Sequence, residues 1–244
     1  LLFLKDGFPG LSRMIPMNLG AADAFLGWVD YWCPVLSSHN RDFARERREA
    51  GDRYTWYICC SPKAPYIANF IDRAGTDLRV WLWQTWQENV DGVLIWQTNY
   101  WHSRPAYPDA LQNPYEDSMS WVGGYGTKPG EKRRWNVGDG RFIYPPEAAT
   151  GSQIEPILDG PVSSIRWEAL RDGMEDFEYL SMLKRLLARK RQSLSSEEAR
   201  QCQALLTVPA EISESLTSYT RDPGPIEARR RELAQAIEAL VCRP

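Results

Sequence analysis

Trp96, Asn99, Tyr100 and Trp101 close a run, Gly92-Val93-Leu94-Ile95-Trp96-Gln97-Thr98-Asn99-Tyr100-Trp101, that begins apolar and β-branched and ends in rings and amides. A buried parallel strand has this pattern where its tip opens into a polar, ring-lined pocket. Aromatic faces beside amides suit a sugar, whose C–H face stacks while its hydroxyls take hydrogen bonds. A core strand with an aromatic edge has the same composition, and the segment alone does not separate the two.

In parallel α/β folds, sites gather at the carboxyl ends of strands and in the loops that follow. Applied to the other predicted strands, that rule selects Ser37, Ser38, His39 and Asn40, then Lys63, Tyr66 and Asn69, while a long later loop contributes Trp135, Asn136 and Asp139. The set is rich in hydroxyls, amides and rings but poor in carboxylates, which describes a polyol-binding wall better than a nucleophile site. His39 has no carboxylate near it in sequence and reads as incidental. The chain has no G-x-S-x-G elbow, Gly-rich phosphate loop or zinc motif.

Glycoside hydrolysis generally needs two carboxyl groups, although a substrate with a 2-acetamido group supplies its own nucleophile. The enzyme then needs an acid and a neighbour that orients the acetamide, roles that an adjacent Asp-Glu pair at a strand end would serve. No Asp-Glu dipeptide occurs, and Glu116-Asp117 and Glu175-Asp176 run in the reverse order.

The elements that must hold these residues alternate. Strands are predicted over residues 12–18, 29–36, 53–60 and 92–101, with helices over 40–50 and 76–89, which argues for a parallel α/β arrangement. In the second helix Leu78, Leu82 and Trp86, with Trp81 and Thr85, share one face. Residues 102–146 break the rhythm as a long loop of the kind that forms a lid or binding wall. A long helix is expected over 161–190, with Ser163 or Ser164 to cap it. Two more are expected near 195–206 and 226–241, the last with Ile226, Leu233, Ile237 and Leu240 at helical spacing. The charged tract 166–180 reads as a face of structural ion pairs, and for Ser163, Ser164 and Arg166 at its start binding and structure are equally open. Residues 1–10 read as the end of a helix, so the chain is expected to begin inside a domain.

Composition narrows the partners. The 244 residues carry a net charge of −3 and are 43% hydrophobic. No basic run suits a phosphate-tracking groove, and no apolar run approaches a membrane span, so neither nucleic acid nor membrane is expected as a partner. Five cysteines without a CxxC pair and two histidines without ligand spacing predict no metal and no cofactor. The adjacent Cys59 and Cys60 are expected to be buried free thiols.

Four ordered blocks resemble the catalytic barrel of glycoside hydrolase family 123, also described as domain-of-unknown-function family 4091. They are Trp56–Lys63 with Tyr66 and Asn69–Asp72, then Val90–Trp101, then Gly138–Pro145, and Gly160–Arg166 with Glu168–Gly173 and Glu175–Leu180. The resemblance implies a (β/α)8 TIM-type barrel of which residues 1–190 are the C-terminal half, strands five to eight, with a helical extension over 191–244. It implies β-N-acetylgalactosaminidase-like, substrate-assisted retaining chemistry on N-acetylhexosamine glycans, with the catalytic Asp-Glu pair upstream of this chain and residues 1–244 inactive alone. That substrate class points to a secreted or periplasmic protein. The resemblance puts Trp56, Tyr57, Trp96, Asn99 and Trp101 near the sugar and Asp139 and Arg166 at the pocket floor. A non-catalytic carbohydrate-binding or scaffold module is the alternative, and a different hydrolase using Asp109, Glu116, Asp117 or Asp139 is a third.

Overall fold

Four parallel strands carry the candidate residues. The structure, a computed structural model, describes residues 6–8, 10–122, 128–151 and 157–243. Most of the expected N-terminal helix end therefore lies outside the described residues. The chain divides into two units. The first comprises residues 1–63, 68–73 and 91–168, and the second residues 64–67, 74–90 and 169–244.

In the first unit β1 (Met14–Met17), β2 (Tyr31–Pro34) and β3 (Arg53–Tyr54) pair in that order, all parallel, with Met14 opposite Tyr31 and Tyr31 opposite Arg53. After Thr55 the strand resumes as β4 (Trp56–Ile58), which pairs in parallel with β5 (Val93–Ile95). Thr55 bridges the interruption, donating its N–H to the Trp32 carbonyl at 2.8 Å, and Val35 pairs with Tyr57 beyond it. All four predicted strands are present but short, in a mixed α/β arrangement whose sheets are small and do not close among the described residues. Helix α1 (Arg41–Glu49) lies between β2 and β3 in the chain and is capped by the Asn40 side chain, which accepts from the Phe43 N–H at 2.9 Å. Trp32, Leu36, Tyr54, Trp56, Ile58 and Phe142 are fully buried and form this unit's core.

The predicted long loop is more ordered than its composition suggests. It holds an antiparallel hairpin of β6 (Met119–Val122) and β7 (Arg133–Val137), and then β8 (Ile143–Tyr144), which pairs antiparallel with β9 (Val162–Ser163). Each is two to five residues long, too short for alternation to stand out among the Gly and Pro around it.

In the second unit α2 (Thr76–Gln87) is buried on every side from Asp77 to Thr85, not on the single face its periodicity marks. Its polar residues are admitted because each finds partners. The Arg79 guanidinium meets the fully buried Asp176 at 2.6 Å, and the Trp83 indole N–H donates to the same carboxylate at 3.0 Å. Asp176 lies on α3 (Ile165–Arg189), and Arg230 of α5 (Gly224–Val241) reaches it at 3.2 Å. Gly173 allows the approach: a Cβ there would sit 3.0 Å from the Arg79 carbonyl. The tract of structural ion pairs is thus real, with Asp176 at its hub. Ile226, Leu233, Ile237 and Leu240 are buried as their spacing predicts, and α4 (Ser196–Leu205) opens with a Ser195–Glu198 capping box.

Removing one partner from a buried, hydrogen-bonded ion cluster strands the others without solvation. Asp176→Ala should lower the unfolding free energy by about 3–5 kcal/mol in equilibrium denaturation. A loss below about 1 kcal/mol would show that the cluster behaves like a surface pair.

Candidate carbohydrate-binding wall

The tip of β5 is held by a turn far along the chain, with 43 residues separating Trp96 from Asp139. Gly138 and Gly140 flank Asp139 with φ of 73° and 75°, a region that L side chains rarely adopt. Space forbids a side chain as well. A Cβ on Gly140 would lie 2.8 Å from Cζ2 of Trp96, and one on Gly138 would lie 2.6 Å from Ile71. The turn pairs with the strand tip: the Tyr100 N–H donates to the Gly140 carbonyl at 2.8 Å, and the Phe142 and Ile143 N–H groups donate to Thr98.

The turn delivers Asp139 to a fully buried position, where its Oδ1 accepts from the Trp96 indole Nε1 and from Asn69 Nδ2, each at 2.8 Å. Its Oδ2, and the Oδ1 of Asn69, have no hydrogen-bond partner among the described residues. Burial pushes the Asp139 carboxyl above its ordinary value, and the donors Trp96 and Asn69 with the nearby Arg166 charge offset only part of that rise. Trp96 in turn stacks on Trp135, with ring centroids 5.5 Å apart and planes 14° apart, and leans on Tyr100 at 5.7 Å. Both indoles remain half-exposed. Beside Trp135, Asn136 donates to the Cys60 carbonyl at 3.1 Å and accepts from Lys63.

Arg166 is a clamp. Its Nη1 donates to the carbonyls of Asn69 (2.5 Å) and Gly138 (2.8 Å), and its Nη2 donates to that of Arg141. The guanidinium also lies over Phe142, 5.1 Å from the ring centroid. Ser164, one of the two expected caps, accepts from the Trp167 N–H at 3.3 Å and donates to the Phe142 carbonyl at 2.6 Å.

Trp96, Trp135, Asn69, Asp139 and Arg166 are therefore brought together. Asn99 is exposed, with its Oδ1 accepting from Gln97 at 3.1 Å, and Trp101 is half-buried, donating to the Ile143 carbonyl at 2.5 Å. Tyr57 is half-buried, and burial raises its hydroxyl pKa. Trp56 is corrected: it is 0% exposed, set edge-on to His39 at 5.2 Å, and offers a ligand no surface. His39 is likewise built in, 3.2 Å from the Tyr54 hydroxyl, and Asn40 is the helix cap already described. Tyr66 belongs to the second unit. Cys59 and Cys60 are free but half-exposed, whereas Cys33 is buried and its thiol is pushed up to about 11 by desolvation. Of the loop carboxylates, Asp117 is engaged by Tyr107, by Trp121 at 2.7 Å and by the Met119 N–H at 3.1 Å. Burial alone would raise its pKa, but these donors and Arg141 hold it below the ordinary range.

Two clefts share no residue with this wall. One is apolar, between α4 and α5, lined by Leu194, Cys202, Leu205 and Leu240, and the other is polar, around Tyr31, Arg48, Arg53 and Asp91. Among the described residues no group of three or more His, Cys, Asp or Glu could hold a metal ion.

The family model described as glycoside hydrolase 123, catalytic domain, matches residues 17–183. The chain belongs to that family. A family 123 glycoside hydrolase from Clostridium perfringens, whose structural analysis concerned glycolipid glycan hydrolysis, has a similar fold, with a TM-score of 0.50 at 19% identity. The likeness covers 91% of this chain but 33% of that protein, so this chain spans a third of its length. No curated protein matches.

The resemblance had included Gly138 and Gly140 in its third block but gave a role only to Asp139, although Gly-Asp-Gly in a loop is a legible signal for backbone in the left-handed region. Gly140→Ala should cost about 1–3 kcal/mol in thermal or denaturant unfolding, from strained φ and the contact with Trp96. An unchanged midpoint would show that the turn can relax.

The sign of the Asp139 shift gives a second test. A carboxyl raised above its unfolded value of about 4 favours the folded state at low pH, and that contribution is lost as pH rises through the folded value. The stability of the wild type minus that of Asp139→Asn should therefore fall as pH increases from about 4. Parallel stability curves would show that Asp139 titrates normally.

Proposed function

We propose that this chain supplies the sugar-holding half of a glycoside hydrolase acting on N-acetylhexosamine glycans of the N-acetylgalactosamine type. The observation that carries the reading is the half-exposed Trp96–Trp135 stack, with Asn136 next to Trp135 in the chain, in a protein of the glycoside hydrolase 123 family. A pyranose would lay its C–H face on an indole while amides take its hydroxyls. Trp101 and Tyr57 would extend the wall, and Asp139 and Arg166 would hold its floor without touching the sugar.

The four parallel strands are, in this reading, strands five to eight of a (β/α)8 barrel. Their consecutive pairing in chain order supports it. Residues 1–190 would then be the second half of the barrel and residues 191–244 a helical extension. The catalytic Asp-Glu pair would come from an earlier strand. Its acid would protonate the departing glycosidic oxygen as the acetamide oxygen bonds to the anomeric carbon, and water would then open that intermediate with retention. The neighbour's glycolipid glycan makes a lipid-linked or other exported glycan the natural substrate class, and an exported protein the matching location.

The full-length protein should turn over an aryl β-N-acetylgalactosaminide faster than the matching glucosaminide. Trp96→Ala or Trp135→Ala should lower kcat/KM by about tenfold, the loss of about 1–1.5 kcal/mol of ring stacking. Turnover of neither glycoside would overturn the hydrolase reading, and N-acetylgalactosamine binding without turnover would favour a carbohydrate-binding module instead.

A further inference from the structure

A carboxylate is an expensive way to fill the position of Asp139. It is fully buried, and one of its oxygens has no partner among the described residues. Burying a charged group with an unmet acceptor costs stability that an apolar residue of similar size would not. Yet its placement is over-determined. Two glycines in the left-handed region bracket it, the Ser120 hydroxyl donates to its main-chain carbonyl, and Asn69 donates to its side chain. The same Oδ1 that Asn69 reaches also accepts from the indole N–H of a half-exposed tryptophan, Trp96. Hydrophobic packing alone leaves a half-exposed indole free to pivot, because burial is non-directional. A hydrogen bond from Nε1 to a fixed acceptor removes that freedom.

We propose that Asp139 is the positioning residue of the aromatic wall: it sets the plane of Trp96 and, through the 14° stack, that of Trp135. The inference rests on the reading that this wall holds a sugar. It adds that the wall is a pre-set plane, selective for a ligand with a continuous flat C–H face, such as a β-linked galacto-configured pyranose. Preorganisation of this kind gains affinity by removing the cost of ordering the rings on binding.

The test uses the full chain labelled with 15N-tryptophan, with the Trp96 indole resonance assigned through Trp96→Phe, and N-acetyl-D-galactosamine as the titrant. The wild type should show a Trp96 N–H shifted downfield by its carboxylate acceptor. Asp139→Leu should lose that shift and bind the sugar about tenfold more weakly. Asp139→Asn keeps an acceptor oxygen and should recover the shift and bind within about twofold of wild type. Trp96→Phe, which keeps a ring but has no N–H, should match Asp139→Leu, and it decides the matter if the leucine variant fails to fold. Wild-type affinity in Trp96→Phe, or an unshifted indole in the wild type, would overturn the proposal. If the wild type binds no sugar, the carbohydrate reading fails by itself. The positioning role is then judged by whether Asp139→Asn keeps the indole shift that Asp139→Leu, or Asp139→Ala should the leucine variant not fold, removes.

Discussion

The first unit depends on one desolvated cation. Arg166 is buried and gives hydrogen bonds to the main-chain carbonyls of Asn69, Gly138 and Arg141, which come from two separate stretches of chain. A guanidinium presents its donors in a rigid planar fork, so the carbonyls it meets are fixed in position relative to one another. Desolvation pushes the Arg166 pKa down against the opposing pull of Tyr144 and Asp139, and the three carbonyls keep the buried guanidinium hydrogen-bonded. They also join the segment after β4 to the Gly-Asp-Gly turn. Lysine could not do this, because its donors radiate from a single point.

The aromatic wall follows from that clamp. With Asn69 and Gly138 fixed, the side chain of Asn69 and the turn around Asp139 can meet, and their junction anchors the Trp96 indole. The indole stack is then a consequence of the buried polar geometry that lies behind it. Carbohydrate sites need this arrangement more than apolar pockets do. A sugar gives little area to bury, so ring orientation and hydrogen-bond direction carry the recognition.

Much of the framework was legible in residue order. The strands predicted over 53–60 and 92–101 are present in shorter form as β3–β4 and β5, and the spacing of Ile226, Leu233 and Ile237 became the buried face of α5. Local pattern also marked Trp96, Asn99 and Trp101 as a strand tip. It failed where burial overrode period. Trp56 sits in a strand that alternation leaves open to either face, and packing against His39 put it in the core. Periodicity marked one face of α2, and the rest of that helix is buried as well because Asp176, 97 residues from Arg79, supplies the charge that Arg79 needs.

The sequence by itself determined the four parallel strands and the main helices, that rings and amides gather at one strand tip, and which family the chain resembles. Those features depend on side-chain type and on spacing within a few residues. Tertiary structure alone decided what each buried polar group is for. Asp139 meets Trp96 across 43 residues and Asn69 across 70. A buried charge must find its partners wherever the chain brings them, and that pairing leaves no period in the sequence.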